Sequence, residues 1–367
     1  MTLIASYALD NFPLVFGDLL ITGDMLKDRI VSVPTQGEVQ DFFGDSGWGI
    51  SGLKQKVNII SDTCVIAWAG NWLGARVAIS GLRELAKKKE LIAEEILSFL
   101  STDPDLAKFP ADFVGLVCEE KGLRLFHYGA EEFTGEALGT AYLAGTGAEA
   151  VRHFDEILKN SALNTEGTIN YVALSIAKSL MMGGLLLQAE LHGELAAPSL
   201  LNMFGGGYEI AYFADGRMQK IPEITFLFWD IKILAGSCEI SAPKLVVKQT
   251  YLRDYLLIRS VLIGKNDNAE PAVLADRRHA VSPMYEPEVK PTEADLLSLT
   301  LVSALRCHCI IVHDGSETLG LKTLVLSRSV TALDEVVFSE VAGDFSMQFR
   351  VEFLENLSRS VESFWSK

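Results

Sequence analysis

Apolar runs broken by turn residues dominate the first part of the chain. Residues 1–9 and 12–18 are two such runs, separated by Asp10-Asn11, which predicts a β-hairpin. Further hairpins are predicted over 56–70 and 113–128, and helices over 72–89, 93–100, 148–158 and 169–191, the last interrupted by Gly183-Gly184. Most of the strands are apolar on both faces, so both sides of each sheet must be covered. Two stacked sheets between layers of helices satisfy this, which predicts an α+β fold with a four-layer αββα sandwich in residues 1–236.

The pattern changes near residue 237, and residues 237–367 are predicted to form a β-rich C-terminal extension. Strands are expected at 244–249, 254–263, 297–312 (of which 297–306 fits a helix equally well) and 321–327, and an amphipathic helix, or a strand leading into one, at 349–365. Residues 264–292 are rich in proline and charge and lack periodicity, so a lid, a binding loop or a disordered connection is expected there. Residues 34–52 are predicted to be a packed loop.

The composition limits the class of protein. A chain of 367 residues, 49% of them hydrophobic, is long enough for two domains with sizeable cores. Its formal net charge of −16 argues against nucleic acid or an anionic membrane as a partner, and no long apolar run is free of charges or breakers. Residues 1–30 lack the features of a signal peptide, and the five cysteines are sparse and odd in number. A protein of the reducing cytoplasm is expected.

No cofactor and no metal are expected. The glycine pairs do not form a phosphate-binding signature after a strand. Cys307-His308-Cys309 places two sulfur atoms on one strand face, but no second Cys/His pair at zinc spacing accompanies it, so a buried strand is the favoured interpretation. The run Asp276-Arg277-Arg278-His279 is interpreted as a solvated loop that could contact a partner.

The start of the chain holds the strongest candidate for chemistry. If Met1 is removed, Thr2 carries a hydroxyl and a free α-amine on one residue. A hydroxyl is a weak nucleophile until a base takes its proton, and the amine of the same residue can be that base. A Met-Thr start is common, so the hypothesis depends on the residues that accompany it.

Six short motifs follow one another along residues 1–215 in a characteristic order. They are Thr2, Gly17-Asp18 at the end of the second strand, Lys56-Val57 at the start of the third, Ala69-Gly70 at the mouth of the first helix, Gly145-Thr146-Gly147 before a later helix, and Asn202-Met203-Phe204-Gly205-Gly206 before a late strand. In this order the chain resembles a proteasome β subunit, or its simpler bacterial protease relative, of the N-terminal-nucleophile hydrolase class.

The resemblance implies roles for these residues. Lys56 would lower the pKa of the Thr2 amine by like-charge repulsion, and Asp18 would hold and partly neutralise that lysine. The N–H of Gly70 would stabilise the oxyanion, and losing such a donor typically costs on the order of 3 kcal/mol of barrier height. The product would be an acyl ester on Thr2 that water then hydrolyses.

Each residue also has an ordinary structural interpretation. Asp18 could cap a turn, and Lys56 could be a solvated charge on a strand edge. Gly70 could simply let a helix approach the sheet, and Thr146 could be a helix N-cap.

The chain departs from the family's pattern at several positions. An insertion carrying Phe42, Phe43 and Trp48 lies between the second and third strands and is expected to loop out near the site. Trp68 falls where the family lines its first specificity pocket, which would favour small side chains.

Three further departures affect the residues that support the threonine. Thr146 replaces a serine and keeps a hydroxyl, whereas Asn202 replaces an aspartate and Gly205 replaces a serine. The asparagine carbonyl can still accept a hydrogen bond from the amine, but it carries no charge.

The leading functional hypothesis is a threonine-dependent peptidase or amidase that acts on peptides or proteins. The resemblance implies a homo-oligomeric ring, often supplied by an ATPase. The C-terminal extension, which the family lacks, is expected to serve assembly, substrate gating or the docking of an ATPase or another partner. The alternatives are a catalytically silent scaffold or binding protein on the same fold, favoured by Asn202, Gly205 and Trp68, and an amidase that acts on a small molecule.

Overall fold

The computed structural model describes residues 2–24, 29–39, 47–160, 171–191, 199–234, 237–265, 271–301, 303–327, 336–341 and 344–362. The protein is a mixed α and β structure in which most strand pairs are antiparallel. It divides into two compact units. The first comprises Met1–Pro222, Arg253–Tyr255 and Val281–Lys290, and the second comprises Glu223–Leu252, Leu256–Ala280 and Pro291–Lys367.

The elements of the first unit agree with the predicted order of hairpins and helices. Its strands are β1 (Ile4–Leu9), β2 (Phe12–Asp18), β3 (Leu20–Gly23), β4 (Val31–Val33), β5 (Gly37–Val39), β6 (Gly49–Leu53), β7 (Val57–Ser61), β8 (Cys64–Gly70), β9 (Ala111–Glu119), β10 (Gly122–Tyr128), β11 (Glu131–Gly135), β12 (Gly139–Ala144), β13 (Tyr208–Ala214) and β14 (Arg217–Lys220). Its helices are α1 (Trp72–Ala86), α2 (Ala93–Thr102), α3 (Pro104–Lys108), α4 (Ala148–Asn160) and α5 (Tyr171–Leu191).

Two sheets form the centre of this unit. One has the strand order β11-β12-β1-β2-β13-β14 and the other has the order β10-β9-β8-β7. Apolar side chains of both sheets share one core, among them Ile4 and Val15 of the first and Val65 and Val114 of the second. The N-terminal strand β1 is therefore central, paired with β2 on one side and β12 on the other.

Helix α1 packs against the smaller sheet. Its buried residues Ala75, Ala78, Ile79 and Leu82 recur at helical spacing and join the core that contains Trp68. Asn71 caps the helix, since its side-chain oxygen accepts the N–H of Leu73 at 2.8 Å. The N-terminus of α1 thereby lies directly after the end of β8.

Helix α5 is continuous, although the sequence predicts an interruption at Gly183-Gly184. The reason is packing. The α-carbon of Gly183 faces Phe16 and Tyr208 of the larger sheet, and a β-carbon added there would lie 3.6 Å from the Cβ atom of Tyr208. This is an ordinary van der Waals distance, so the helix packs on the sheet at normal spacing, and that packing offsets the roughly 1 kcal/mol by which each glycine disfavours a helix relative to alanine.

The insertion between β2 and β7 contains more regular structure than the predicted loop over 34–52. Strands β5 and β6 lie within that segment, and β6 pairs antiparallel with β3. The strand pairs bury Val33, Val39 and Ile50 with Leu200 in a small core of their own. Phe42 and Phe43 lie outside the described residues.

The second unit contains most of the predicted extension. Its strands are β15 (Glu223–Leu234), β16 (Ser237–Ile240), β17 (Leu245–Leu252), β18 (Tyr255–Lys265), β19 (Pro271–Val281), β20 (Leu305–His313), β21 (Thr318–Ser327), β22 (Val336–Val341) and β23 (Asp344–Phe349), and its helices are α6 (Glu293–Leu297) and α7 (Val351–Glu362). The main sheet has the order β19-β18-β17-β15-β20-β21, in which β15 and β20 are parallel. The sequence places the domain boundary at residue 236, whereas β15 packs within the second unit.

The prediction of an irregular connection over 264–292 is wrong for β19. This strand contains the run 276–279, which was expected to be a solvated loop. Asp276 accepts two hydrogen bonds from the buried guanidinium of Arg259, at 3.0 Å from Nε and 2.7 Å from Nη2. Charged residues that pair with the neighbouring strand interrupt the alternation of apolar and polar positions, so periodicity does not predict this strand.

The segment 297–312 is a strand only in its last part, and the helical alternative for 297–306 is wrong beyond its first residue. Helix α6 ends at Leu297, and strand β20 begins at Leu305. Within the described ranges, no helix is both long enough and apolar enough to cross a lipid bilayer.

Candidate functional site

The β1–β2 hairpin brings Thr2 and Asp18 into contact. The antiparallel register pairs Ile4 with Gly17, so the residues just outside this pair face each other. The Thr2 hydroxyl donates a hydrogen bond to Oδ1 of Asp18, and the N–H of Leu3 donates to the same oxygen at 3.0 Å. Both side chains are fully buried. The register places Leu3 rather than Thr2 directly opposite Asp18, so the hairpin brings Thr2 close but does not by itself specify this side-chain contact.

The second oxygen of Asp18 binds two main-chain donors. Oδ2 accepts the N–H of Leu20 at 3.2 Å and the N–H of Gly205 at 2.9 Å. Burial raises the pKa of Asp18 above its ordinary value, while the charge of Lys56 and the hydrogen bonds from Thr2, Leu3 and Gly205 act in the opposite direction. Asp18 is therefore more than a cap of its own turn, because it connects three separate segments.

Lys56 lies immediately before β7 and is buried, so its interpretation as a solvated edge charge is wrong. Its Nζ atom lies 4.3 Å from the centroid of the Trp68 ring. Burial lowers the pKa of Lys56 to about 8, against the opposing effects of the Asp18 and Glu209 carboxylates. Lys56 and Asp18 thus form an electrostatically coupled buried pair.

Trp68 belongs to the core rather than to an open pocket. Its side chain is 1% exposed and packs among residues of α1 and α2. The indole N–H donates to the carbonyl oxygen of Gln55 at 3.2 Å. Trp68 consequently fixes the main chain next to Lys56, a role that its position in the sequence does not reveal.

Glu209 is a buried charge near Lys56 that sequence reasoning missed. One carboxylate oxygen binds Nζ of Lys220 at 2.6 Å, and the other accepts the N–H of Val57 at 3.2 Å. Lys220 also donates to the side-chain oxygen of Gln55 at 2.7 Å. The available signal was a single acidic residue within the apolar strand β13, where a charge is rare unless it is paired.

The segment Gly145–Gly147 lies against the main chain of Thr2. The N–H of Gly147 donates to the carbonyl oxygen of Thr2 at 3.1 Å. Gly145 has a φ of +90°, and a β-carbon there would clash with that same carbonyl group. The Thr146 hydroxyl donates to the main-chain oxygen of Asn202, and both residues are exposed. Thr146 and Asn202 therefore contact each other beside Thr2, through the main chain of the asparagine rather than its amide.

Gly70 is exposed at the end of β8, directly before the cap of α1. Its φ is +88°, and a β-carbon would lie 3.1 Å from the carbonyl oxygen of Pro110. Among the contacts of the described residues, none joins Gly70 to Thr2. The structure thus explains the glycine by backbone conformation and leaves its predicted oxyanion role as a prediction.

Gly205 and Gly206 have glycine-specific conformations, with φ values of +130° and +74°. A β-carbon on Gly205 would clash with the carboxylate of Glu190. The positive φ and this clash explain why the position requires a glycine. The N–H of Gly206 donates to Oε2 of Glu190 at 2.9 Å, and the Thr35 hydroxyl donates to Oε1.

Glu190 is a second carboxyl group of the site that sequence reasoning missed. It is fully buried near the end of α5, and burial, with a contribution from the charge of Asp18, raises its pKa to about 7. The sequence signal was again a lone acid in an apolar helix. Its partner Thr35 is far away in the chain, so the pairing itself could not be read from the sequence.

The other sequence candidates do not form a metal site in the described ranges. The sulfur atoms of Cys307 and Cys309 are 3.8 Å apart on buried strand β20. No group of three or more His, Cys, Asp or Glu side chains is arranged to hold a metal ion within the described part of the chain.

Comparison with known proteins returned no matching family model and no match among curated proteins.

Proposed function

We propose that the chain is a threonine-type N-terminal-nucleophile peptidase or amidase, in which Thr2, freed by removal of Met1, attacks an amide carbonyl. The observation that carries this proposal is the hydrogen bond from the Thr2 hydroxyl to buried Asp18, whose carboxylate is electrostatically coupled to buried Lys56. Burying these polar groups costs folding free energy, and such clusters with shifted pKa values are typical of functional sites.

The proposed reaction begins with Thr2. The oxygen Oγ1 attacks the carbonyl carbon, and its proton passes to the free α-amine of the same residue. The resulting C–N bond cleavage releases an amine, which takes that proton and leaves an acyl ester on Thr2. Water then attacks the ester carbonyl carbon and gives a proton to the α-amine. The C–O bond to Thr2 breaks, the ammonium returns that proton to Oγ1, and the carboxylic acid product leaves.

The surrounding residues support this reaction in different ways. Asp18 orients the hydroxyl by accepting its hydrogen bond. The pKa of Lys56 is lowered to about 8, so this lysine releases its proton more readily than an exposed one. When Lys56 is charged, its repulsion favours the neutral, basic form of the Thr2 α-amine. The N–H of Gly70 is assigned to the oxyanion, and Thr146 with Asn202 to the support of the threonine main chain.

The finer features of the fold and the assembly belong to the same proposal. A shared core between two sheets, with α1 packed outside one of them, supports a four-layer αββα sandwich of the N-terminal-nucleophile class. The substrate class is a peptide or protein. A homo-oligomeric ring and an ATPase or other partner of the second unit complete the proposal.

A catalytically silent scaffold is the second candidate. It is favoured by the complete burial of Thr2 and by Trp68, whose side chain packs in the core instead of lining a pocket. In that case the Thr2–Asp18–Lys56 cluster would stabilise the hairpin and would not turn over a substrate.

Two measurements decide between the candidates. Intact mass spectrometry should show loss of Met1, and a peptide epoxyketone, which reacts with both the hydroxyl and the amine of an N-terminal threonine, should add one equivalent to the full-length protein. The adduct should map to Thr2 and be absent from Thr2→Ala. Thr102→Ala is the matched control, because it removes a threonine hydroxyl at the exposed end of α2 and should still be labelled.

Retention of Met1 would exclude the proposed reaction, because no free threonine amine would exist. An intact Thr2 terminus that the epoxyketone does not label would support the scaffold instead.

A further inference from the structure

Two buried carboxyl groups bind consecutive main-chain amides of the Gly205-Gly206 segment. Oδ2 of Asp18 accepts the N–H of Gly205, and Oε2 of Glu190 accepts the N–H of Gly206, each at 2.9 Å. Both glycines have positive φ values and no side chain to anchor them. Hydrogen bonds of their main-chain atoms must therefore supply the orientation of this segment.

Main-chain carbonyl contacts of the segment point to the same conclusion. The oxygen of Gly205 accepts the N–H groups of Leu19 at 3.1 Å and Leu20 at 3.0 Å, directly after Asp18. The segment is thereby joined to the end of β2 on both its donor and its acceptor sides. A displacement at Gly206 would be transmitted to Asp18 through one peptide unit.

Glu190 is itself held by the inserted hairpin β4–β5. Thr35, in the turn of this hairpin, donates its hydroxyl to Oε1 of Glu190, and the side-chain amide of Gln36 donates to the main-chain oxygen of the same glutamate. Gln36 also reaches the main-chain oxygen of Leu191 at 3.4 Å. The hairpin thus binds both the side chain and the last carbonyl groups of α5.

The electrostatic surroundings of Glu190 make its burial unfavourable for the free energy of folding. Asp18 on β2 raises its pKa through like charge, and Tyr208 on β13 is the other titratable group that interacts with it. Thr35 and Gln36 of the hairpin and Gly206 are neutral. A buried carboxyl group beside another carboxylate is typical of functional sites, and its contacts with Gly206 and Thr35 give it a positioning role.

We propose that Glu190, held by Thr35 of the inserted hairpin, is a positioning residue that orients the Gly205-Gly206 segment and thereby Asp18 against Thr2. The insertion is then a structural part of the site rather than a loop that shields it. The catalytic consequence rests on the proposed function, whereas the positioning itself does not.

The test uses the full-length protein and two readouts that need no activity. Amide hydrogen exchange follows the N–H groups of Gly205 and Gly206, and carboxyl ¹³C NMR follows the titration of Asp18. The variants are Glu190→Ala, Glu190→Gln and Thr35→Val. Glu120→Ala, at an exposed turn between β9 and β10, is the matched control.

Glu190→Ala should accelerate exchange at both glycines by roughly tenfold or more, because their protection depends on the local fold. It should also raise the pKa of Asp18 above its value in Glu190→Gln, because both variants remove the repelling charge of Glu190 but only the alanine weakens the Gly205 hydrogen bond that lowers this pKa. Glu190→Gln should keep the wild-type exchange rates, since the glutamine oxygen can accept from Gly206 and its amide can donate to Thr35. Thr35→Val should shift the exchange rates and the pKa of Asp18 in the direction of Glu190→Ala.

The proposal would be overturned if Glu190→Ala kept the wild-type exchange rates at both glycines and the pKa of Asp18 equalled that in Glu190→Gln. If Glu190→Ala does not fold, an unchanged Thr35→Val would overturn it equally, because valine has nearly the shape of threonine and removes only the hydroxyl. Epoxyketone labelling separates the two proposals. Unlabelled wild-type protein with altered exchange in the variants would refute the reaction and retain the positioning role.

Discussion

The ammonium of Lys56 lies over the face of the Trp68 ring, 4.3 Å from its centroid, in the interior of the first unit. The ring takes the place of water on one side of the charge, while Asp18 and Glu209 act on it electrostatically. A tryptophan that the resemblance assigns to a specificity pocket is therefore a structural partner of the predicted catalytic lysine.

Replacing Trp68 by leucine should destabilise the first unit strongly. The change removes a large buried ring and the cation–π contact, which together predict a loss of roughly 2–4 kcal/mol of unfolding free energy. Urea unfolding measures it. Trp72→Leu is the control, since Trp72 is 39% exposed and also lies near a cation, Arg76. Equal losses in both variants would contradict the assigned burial.

Asp18→Asn should lower the pKa of Lys56 further. The Asp18 carboxylate raises that pKa, so removing its charge leaves the burial of the ammonium less compensated, and the value should fall below about 8. Titration of ¹³Cε-labelled lysine by NMR gives the measurement. Asp62→Asn, in the exposed turn between β7 and β8, should leave the value unchanged. A rise on losing Asp18 would contradict the coupling.

Glu190 should make stability fall as pH rises through the weakly acidic range. Its pKa is raised from 4.5 to about 7, so the folded state binds more protons than the unfolded state between these values. The stabilisation is complete below 4.5 and is lost by about pH 7. The difference in unfolding free energy between the wild-type protein and Glu190→Gln, measured from pH 4 to 8, should show this decline. A flat difference would refute it.

Lys56 should act in the opposite direction at alkaline pH. Its pKa is lowered from 10.5 to about 8, so the unfolded state binds more protons between these values. Its contribution to stability is present above 10.5 and is lost as pH falls through about 8. Lys56→Met should remove this pH dependence from denaturant unfolding curves, and Lys121→Met, on an exposed turn, should leave it.

Gly205→Ala should destabilise the folded protein more than Gly122→Ala does. Gly205 and Gly122 have similar positive φ values, +130° and +117°, but a β-carbon on Gly205 meets Glu190, whereas one on Gly122 meets nothing within 4 Å. The backbone strain common to both costs about 1–2 kcal/mol, and the clash adds roughly 1–3 kcal/mol at Gly205 only. Thermal unfolding of the two variants compares them directly. Similar losses of stability in the two variants would show that the Glu190 side chain moves aside without destabilising the protein.

The amino-acid sequence is sufficient to predict the local elements and the neighbourhood of Thr2. Apolar runs around Asp10-Asn11 predict the β1–β2 hairpin, whose register places Leu3 opposite Asp18 and so brings Thr2 near that carboxylate. Hairpin formation depends on neighbouring residues and turn chemistry, which are visible in the chain. The sequence pattern predicts helix α5 and strand β19 less well. The glycine pair of α5 and the paired charges of β19 interrupt the expected periodicity, although neither interrupts the element.

The residues that support the site are brought together by tertiary contacts. Lys56 is buried because two sheets share a core and Trp68 covers it, and Glu190 is bound because an inserted hairpin brings Thr35 to the end of a distant helix. Such contacts depend on which surfaces meet in space, whereas periodicity reports only which side of an element is buried. A lone buried acid in an apolar helix or strand is visible in sequence, but its partner is selected by the fold.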